Sequence, residues 1–458
     1  MSNLSPEITK ESLNPAKLGT MTTTTKPISK HATWAWMLWD WAEQPYPTII
    51  QTFIFATYIT SSSFTASGDV DSLATQLGWA GSIAGILVAL SAPVFGRRTD
   101  SAGHRKRWLL INSAILVSLM VASYFVEPRP EFFLFGLVLY AFGSVVQETA
   151  FINYYAMLKQ VTNESNMARV SGIAWGLGYV GGIILLLGSL VLCFLPGHPL
   201  YPTEEGALNI RVIFLFAAAW MVIFTIPLIL FVPEVPRSAI QTKRESIIDS
   251  YKALIAQIQK LRRENPDALK FLLASAVYRD GLAGVFTFGA ILGSVAFGFT
   301  QTGVILFGVA ANIVSGIGAF LGGVWDEVVG TKRMIVICLA GMLVAGAGVF
   351  AFASLGAITY WIFGLALCLF VGPAQASSRT FVARFAPANR EGEIFGLYQT
   401  TGRAASFLSP TLWALSLMAA SAAGFANATV FGIIGIMIVL AAGLFWLLRV
   451  HPSPKVIN

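Results

Sequence analysis

The sequence predicts an all-α membrane protein with twelve transmembrane helices in two pseudo-symmetric six-helix halves. Of its 458 residues, 55% are hydrophobic and only 12% are charged, whereas a soluble domain carries roughly 25% charged residues. Apolar stretches of roughly 20 residues recur along the whole chain, and each is long enough to cross ~30 Å of hydrocarbon. The alternating ten-residue pattern of barrel strands is not present, so helices are the expected spanning elements.

Twelve apolar stretches define the expected transmembrane segments, which we number in chain order. They are 34–60, 73–96, 107–126, 132–158, 168–195, 211–232, 268–296, 302–324, 333–354, 358–380, 393–418 and 426–448. Segment 1 runs into Pro45 and Pro47, so we expect it to bend there.

The distribution of lysine and arginine predicts the orientation of the chain in the membrane. Of the 30 basic residues, 26 lie on one side, in the tails, the loops and the adjoining ends of segments. Arg129 and Arg211 lie on the other side, and Arg279 and Arg403 fall inside segments 7 and 11. Both termini are therefore expected in the cytoplasm, which requires an even number of crossings. The net charge of +7 follows the cytoplasmic loops and does not indicate a nucleic-acid partner.

The apolar stretches and the distribution of basic residues divide the chain into five expected regions. They are a disordered cytoplasmic tail 1–31, an N-terminal half 32–232, a cytoplasmic linker 233–267, a C-terminal half 268–449 and a cytoplasmic tail 450–458. In the linker, apolar residues recur at helical spacing opposite Lys252, Lys260 and Arg263. This pattern predicts an amphipathic helix on the cytoplasmic surface.

A motif that follows segment 2 is repeated after segment 8 and relates the two halves. Each copy has a glycine, an acid four residues later, a second glycine and then a basic cluster. The first copy contains Gly96, Asp100, Gly103, Arg105 and Lys106, and the second contains Gly322, Asp326, Gly330, Lys332 and Arg333. A parallel repeat of six-helix halves is one of the arrangements found in secondary transporters.

The first copy resembles the cytoplasmic signature of the major facilitator superfamily, between its second and third helices. The resemblance implies the major facilitator fold and a cytoplasmic gate. Asp100 would meet the positive N-terminal end of segment 11, near Gly392 to Ile394, and Asp326 would face the start of segment 5. The alternative is a positive-inside loop with an ordinary turn.

Four further blocks give a closer resemblance. They are Trp39-Asp40-Trp41-Ala42, Arg169–Gly172 with Gly178–Gly182, Tyr278-Arg279-Asp280-Gly281, and Gln375–Arg379 through Pro387 to Phe395–Tyr398 with Gly402-Arg403. Together they are similar to the fungal vacuolar amino-acid effluxer family and its bacterial relatives. Segment 1 departs from that family, which usually has Asn-Ser-Ala where this chain has Glu43-Gln44-Pro45.

Ionisable residues inside membrane segments are candidates for function because burying them is costly. Asp40 and Glu43 are three residues apart on one helical face, just before the prolines. Two carboxylates this close repel each other, so one tends to hold a proton near neutral pH unless a cation lies between them. The pair is therefore a candidate proton-coupling site. The alternative is a structural pair satisfied by arginine or by free backbone amides.

Other deep polar and aromatic residues complete the candidate substrate or proton site. They are Tyr46, Glu148, Asn153, Tyr154, Tyr179, Arg279, Asp280, Gln375, Tyr398, Gln399 and Arg403. Four deep acids and two arginines suit a zwitterion such as an amino acid or short peptide. They also suit internal ion pairs without a ligand.

The expected function is alternating-access transport of a small polar solute, driven by its own gradient or by protons. An exporter of amphipathic drug-like or lipid-like molecules is the alternative within the class, and a non-transporting membrane sensor or scaffold is the alternative outside it. Without a nucleotide-binding loop or a Cys/His cluster, neither an enzyme nor a metal or other cofactor is expected. We expect a monomer in the lipid bilayer of the plasma membrane, with a vacuolar membrane as the alternative.

Overall fold

The computed structural model describes residues 29–102, 104–162, 167–195, 202, 205–234, 247–385 and 391–451. Within these ranges every regular element is a helix. Eleven helices of the described part are long and apolar enough to cross a membrane. Segment 1, the remaining predicted crossing, consists of three shorter helical pieces. The predicted all-α membrane fold is confirmed.

The helices follow one another in the predicted order. The N-terminal half contains segment 1 (Lys30–Glu43, Tyr46–Phe53 and Phe55–Ile59), segment 2 (Val70–Ala102), segment 3 (Arg105–Ser123), segment 4 (Pro130–Val161), segment 5 (Met167–Ser189, continued by Leu190–Phe194) and segment 6 (Leu208–Phe231). The linker helix is Ile247–Glu264. The C-terminal half contains segment 7 (Pro266–Ile291, continued by Leu292–Ala296), segment 8 (Gln301–Val329), segment 9 (Thr331–Ala351), segment 10 (Ala357–Thr359, Tyr360–Gly364 and Leu365–Phe385), segment 11 (Glu391–Ala404 and Leu408–Ala422) and segment 12 (Ala428–Phe431 and Gly432–Leu448).

The region boundaries differ from expectation at two places, the starts of segments 1 and 7. The first helix begins at Lys30, inside the predicted tail 1–31, whose residues 1–28 lie outside the described part. Segment 7 begins at Pro266, inside the predicted linker 233–267. Segment 12 ends at Leu448, and residues 452–458 of the predicted tail 450–458 lie outside the described part.

Segment 1 bends where its prolines predict. Proline has no backbone N–H, so Pro45 and Pro47 remove helical hydrogen bonds. The chain responds with a wide helical turn over Tyr46–Phe53, in which the N–H of Ile54 donates to the Ile49 carbonyl at 3.2 Å. The wide turn follows directly after Asp40 and Glu43. It therefore sets the direction in which the rest of segment 1, Phe55–Ile59, continues.

Segments 8 and 10 pack with their backbones in close approach, and glycines make this possible. A Cβ atom added to Gly318 would lie 2.1 Å from the Leu369 carbonyl oxygen, and one added to Gly372 would lie 2.2 Å from the Ser315 carbonyl oxygen. A Cβ atom on Gly322 would lie 2.1 Å from the Pro373 Cβ. Small residues that allow helices to approach closely are typical of membrane helix interfaces.

Replacing Gly318 by alanine is therefore expected to destabilise the protein by about 1–3 kcal/mol, because a rigid backbone atom occupies the space that the methyl group needs. Gly316 is the matched control, since it lies two positions away on the same helix and a Cβ there would meet no atom within 4 Å. Thermal unfolding of both variants in detergent checks this. Equal melting temperatures for the two variants would contradict the packing described here.

Two lysines show that the halves repeat each other in three dimensions. The Lys106 ammonium group donates to the carbonyls of Ile229 at 2.6 Å and Val232 at 2.7 Å, at the end of segment 6. The Lys332 ammonium group donates to the carbonyls of Leu448 at 3.3 Å and Val450 at 2.7 Å, at the end of segment 12. A cation at a helix C-terminus satisfies carbonyls that lack helical partners. The lysine of each motif thus ties the third helix of its half to the end of the sixth.

The linker helix Ile247–Glu264 lies against segments 2 and 7. The Tyr251 hydroxyl donates to the Leu90 carbonyl on segment 2, and Leu261 is buried. Ile248 and Ile255 remain exposed. The helix therefore contacts both halves while part of its apolar face stays uncovered by protein.

Candidate functional site

Glu43 is fully buried at the end of the first helix of segment 1. One of its carboxyl oxygens accepts a hydrogen bond from the side chain of Gln147 on segment 4. The other oxygen, Oε2, is buried without a hydrogen-bond partner among the described residues. No described cation lies within ion-pair distance of Glu43. A charged carboxylate is costly in such a position, so this oxygen is a point where a proton can bind.

Asp40 lies one helical turn before Glu43 and is also buried, with 4% of its surface exposed. Its carboxyl group is close to the side chain of Gln44 and in the electrostatic field of Arg379 on segment 10. A Cβ atom on Gly178 of segment 5 would lie 3.3 Å from Asp40 Oδ1. Two neighbouring acids thus have different surroundings, because Asp40 has a cation from the opposite half nearby and Glu43 has an amide.

Glu148 and Arg403 form an ion pair that joins the two halves. Arg403 Nε donates to Glu148 Oε2 at 2.8 Å, from segment 11 to segment 4. The Glu148 side chain is 37% exposed and the Arg403 side chain 14% exposed. The Arg403 guanidinium also lies 6.0 Å from the centre of the Tyr155 ring. A charge pair that is accessible between the halves is the arrangement expected of a polar binding site.

Arg279 of segment 7 binds the face of segment 11 next to this pair. Its guanidinium lies 3.8 Å from the centre of the Tyr398 ring and donates to the Tyr398 carbonyl at 3.0 Å and to Gln399 Oε1 at 3.1 Å. A Cβ atom on Gly402 would lie 2.9 Å from an Arg279 nitrogen, so glycine leaves room for the arginine. Among the described residues, no carboxylate forms an ion pair with Arg279, and its remaining N–H groups can bind an anion.

Asp280 serves a different purpose from its neighbour. Its Oδ2 accepts from the backbone N–H of Ser409 at 2.5 Å, and its own carbonyl accepts from the Ser409 hydroxyl at 3.0 Å. Segment 11 is interrupted between Ala404 and Leu408, so Asp280 caps the helix that starts after the break. These bonds account for the carboxylate without a substrate.

The aromatic candidates are mostly packed against other side chains. Tyr154 stacks on Trp36 at 4.2 Å between ring centres and also touches Trp39, and all three are fully buried. The Tyr46 hydroxyl donates to the Tyr140 carbonyl at 3.2 Å. Asn153 donates to the Thr149 carbonyl of its own helix at 3.0 Å, and its side-chain oxygen is buried without a partner in the described part. Tyr179 and Gln375 are partly buried on segments 5 and 10.

The predicted cytoplasmic gate is described in part. Gly103 and the side chain of Asp100 lie outside the described part, and Gly96 is described only as a position in the helix of segment 2, so the predicted contact of Asp100 with segment 11 stays a prediction. In the first copy, the Arg105 guanidinium donates to the Ala156 carbonyl at 2.7 Å, and Lys106 caps segment 6.

In the second copy, Asp326 is buried and its Oδ1 has no hydrogen-bond partner in the described part. Gly330 has φ +90°, which allows the sharp turn between segments 8 and 9. Lys332 caps segment 12, and Arg333 is exposed. The lysines of both copies therefore hold helix ends.

Some residues of the site were not among the predicted candidates. Gln147 binds Glu43, and Arg379 acts on Asp40 from the other half. Arg379 was grouped with the cytoplasmic basic residues because it lies near the end of segment 10. In the described residues, no group of three or more His, Cys, Asp or Glu side chains is placed to hold a metal ion. Cys193, Cys338 and Cys368 are buried and unpaired.

Comparison with known families decides which family this polytopic chain represents. Residues 69–455 match the family model described as "Vacuole effluxer Atg22 like". The chain belongs to this family. The Atg22-like match covers segments 2 to 12 and thus both copies of the gate motif.

Two relatives illustrate the range of the Atg22-like family. The "Uncharacterized MFS-type transporter YxiO" of Bacillus subtilis is 27% identical over 408 residues, which are 88% of this chain and 92% of that protein. "Autophagy-related protein 22-1" of Aspergillus fumigatus is 24% identical over 266 residues, which are 53% of this chain but only 42% of the fungal protein. The chain thus matches the bacterial relative almost from end to end and less than half of the fungal one.

Solved structures with the same fold are transporters. The D-xylose-proton symporter has a TM-score of 0.68 at 12% sequence identity, covering 92% of this chain and 98% of the symporter. A bacterial homologue of the human lysosomal transporter Spinster, in an inward-facing and unoccupied conformation, has a TM-score of 0.63 at 15% identity, covering 94% of this chain and all of that chain. The predicted major facilitator fold is confirmed, and this Atg22-like protein is a multi-pass membrane transporter rather than an enzyme.

Proposed function

We propose that this protein moves a small zwitterionic solute, such as an amino acid or short peptide, across the membrane by alternating access, with proton coupling. The binding site lies between the N-terminal half 32–232 and the C-terminal half 268–449. The observation that carries this proposal is the Glu148–Arg403 pair, because it is accessible and has one partner in each half.

The charges around this pair match the two ends of a zwitterion. A substrate carboxylate would bind Arg403, with Arg279 beside it, and a substrate ammonium group would bind Glu148. The substrate would thereby replace an existing ion pair with two new ones, so neither protein charge is left unpaired at any stage. Gln399, already bonded to Arg279, lies next to the proposed carboxylate position.

Glu43 is the proposed proton site, with Asp40 as its neighbour. Its free oxygen and its lack of a described cation distinguish it from Glu148, Asp40 and Asp280, each of which lies near a cation or accepts backbone hydrogen bonds. Gln147 binds Glu43 and directly precedes Glu148 on segment 4. A change of charge on Glu43 would therefore act one residue away from the proposed substrate position.

An amphipathic substrate is less well supported by the same geometry. Several large aromatic side chains of segments 1 and 4 are buried against one another, as in the Trp36–Tyr154 stack, and so are not available to line an apolar cavity. Residence in the plasma membrane is proposed because the bacterial relative matches over most of its length. Cytoplasmic termini are proposed because 26 of the 30 basic residues lie on their side. A monomer is sufficient for this mechanism, since both halves of the site belong to one chain.

The proposal is tested by uptake into proteoliposomes and by ligand-dependent thermal stabilisation of the purified protein. Amino acids and dipeptides are compared with sugars and with hydrophobic cations. We expect stabilisation and uptake with at least one zwitterion and with none of the uncharged sugars. Loss of the response when the same amino acid carries a blocked amino or carboxyl group would support the two-ended recognition. Stabilisation by hydrophobic cations alone would favour the amphipathic exporter.

A further inference from the structure

Asp71, in the first turn of segment 2, binds the beginning of segment 12 in the other half. Its Oδ2 accepts from the Ala428 N–H at 2.9 Å and its Oδ1 from the Thr429 N–H at 2.9 Å. The Thr429 hydroxyl donates to the same Oδ1. One carboxylate thus caps the N-terminus of a helix that belongs to the opposite half, where the helix dipole favours a negative charge.

Further hydrogen bonds join the halves at the same end of the molecule. Gln301, at the start of segment 8, donates to the Phe53 carbonyl at 3.0 Å and accepts from the Thr57 hydroxyl at 3.2 Å, both on segment 1. The Trp413 indole N–H of segment 11 donates to the Ala74 carbonyl of segment 2 at 3.3 Å. These contacts close the halves against each other at the end opposite to the basic loops.

Segment 2 therefore carries an aspartate at each end. Asp71 lies at its beginning and Asp100 near its end, and segment 2 runs the length of the membrane between them. The gate motif predicts that Asp100 meets the N-terminus of segment 11. Asp71 makes the corresponding contact with segment 12, but at the non-cytoplasmic end.

We propose that Asp71 is the latch of a non-cytoplasmic gate, whose three hydrogen bonds to Ala428 and Thr429 hold that end shut. Opening of the transporter towards the outside requires these bonds to break. The two aspartates of segment 2 are then engaged in turn, Asp71 when the outer end is closed and Asp100 when the inner end is closed. The inference rests on the proposed alternating access.

The test uses distances between spin labels in the otherwise intact protein, without substrate. One pair, Ser63→Cys with Ala422→Cys, has one label in each half at the non-cytoplasmic end. A second pair, His104→Cys with Arg449→Cys, has one label in each half at the cytoplasmic end. All four positions are exposed, whereas the native cysteines are buried.

Asp71→Asn is expected to raise the ratio of open to closed molecules at the outer pair by at least about fivefold. Asparagine removes the charge and one of the two accepting oxygens. Asp69→Asn is the matched control, because Asp69 accepts only from Ser72 of its own helix in the described structure, and asparagine caps equally well. Thr429→Val removes one of the three bonds and should shift the same ratio in the same direction, by less.

Unchanged outer distances in both Asp71→Asn and Thr429→Val would overturn the latch, as would an equal shift in Asp69→Asn. The cytoplasmic pair separates the latch from the transport mechanism. If the outer end opens while the cytoplasmic distance stays constant, Asp71 still acts as the latch but the halves do not rock as alternating access requires.

Discussion

Replacing Arg403 by glutamine is expected to lower zwitterion uptake by at least about tenfold. The reason is that a charge-assisted hydrogen bond contributes about 1.5–3 kcal/mol, and ~1.4 kcal/mol corresponds to a factor of ten. Glu148→Gln should have an effect of similar size. Each single variant should also melt at a lower temperature than the native protein, since it leaves one charge of the pair without its partner. Initial uptake rates in proteoliposomes and thermal unfolding in detergent measure the two effects.

The double variant Glu148→Gln with Arg403→Gln separates binding from stability. With both charges gone, the melting temperature should recover, because replacing both partners of an ion pair costs little. Uptake should remain low, because the substrate has lost both contacts. Arg129→Gln is the control, since it removes an exposed arginine that pairs with Glu127 outside the site. Native uptake by the double variant would show that the pair holds the halves together and does not bind substrate.

Replacing Glu43 by glutamine is expected to abolish the dependence of uptake on a proton gradient while leaving the protein folded. Glutamine has nearly the shape of a protonated glutamate and keeps the oxygen that accepts from Gln147. The variant cannot gain or lose a proton, so uptake down the substrate gradient should persist but should no longer be driven by a pH difference. Uptake measured with and without an imposed pH gradient gives the result.

Two further variants sharpen this experiment. Asp40→Asn should alter the coupling less than Glu43→Gln, because Arg379 lies in the field of Asp40 and no described cation pairs with Glu43. Glu131→Gln changes an exposed acid at the start of the same segment 4 that carries Gln147, and should change nothing. The proton-site hypothesis fails if pH-driven uptake survives in both Glu43→Gln and Asp40→Asn.

Much of the fold follows from composition and spacing, because the bilayer imposes strong constraints on both. Hydrocarbon requires long apolar helices, so the segments were visible as apolar stretches, and Pro45 and Pro47 marked the bend of segment 1. The break in segment 11 was not predicted. Its first helix ends at Ala404 without a proline or glycine among residues 405–407, and its cap, Asp280, comes from a residue more than a hundred positions earlier.

Contacts between residues far apart in sequence were equally unpredictable in the candidate site. The sequence marked four deep acids and two arginines, but it contained no information on their pairing. Only the tertiary structure shows that Glu148 pairs with Arg403, that Asp280 accepts from the Ser409 amide, and that Glu43 accepts from Gln147. Spacing along one helix predicts which residues share a face, whereas an ion pair between segments depends on how those helices pack.

The sequence by itself determined the environment of the chain, its helices and its division into repeated halves. Transfer into lipid depends on the hydrophobicity of each segment, and the repeated motif can be read without knowing any contact. The tertiary structure decided which charges are neutralised by protein and which remain accessible, with Glu148 and Arg403 meeting across the halves and one oxygen of Glu43 without a hydrogen-bond partner among the described residues. That distinction depends on distances of a few ångströms between residues far apart in sequence, because electrostatic and hydrogen-bond energies fall steeply over that range.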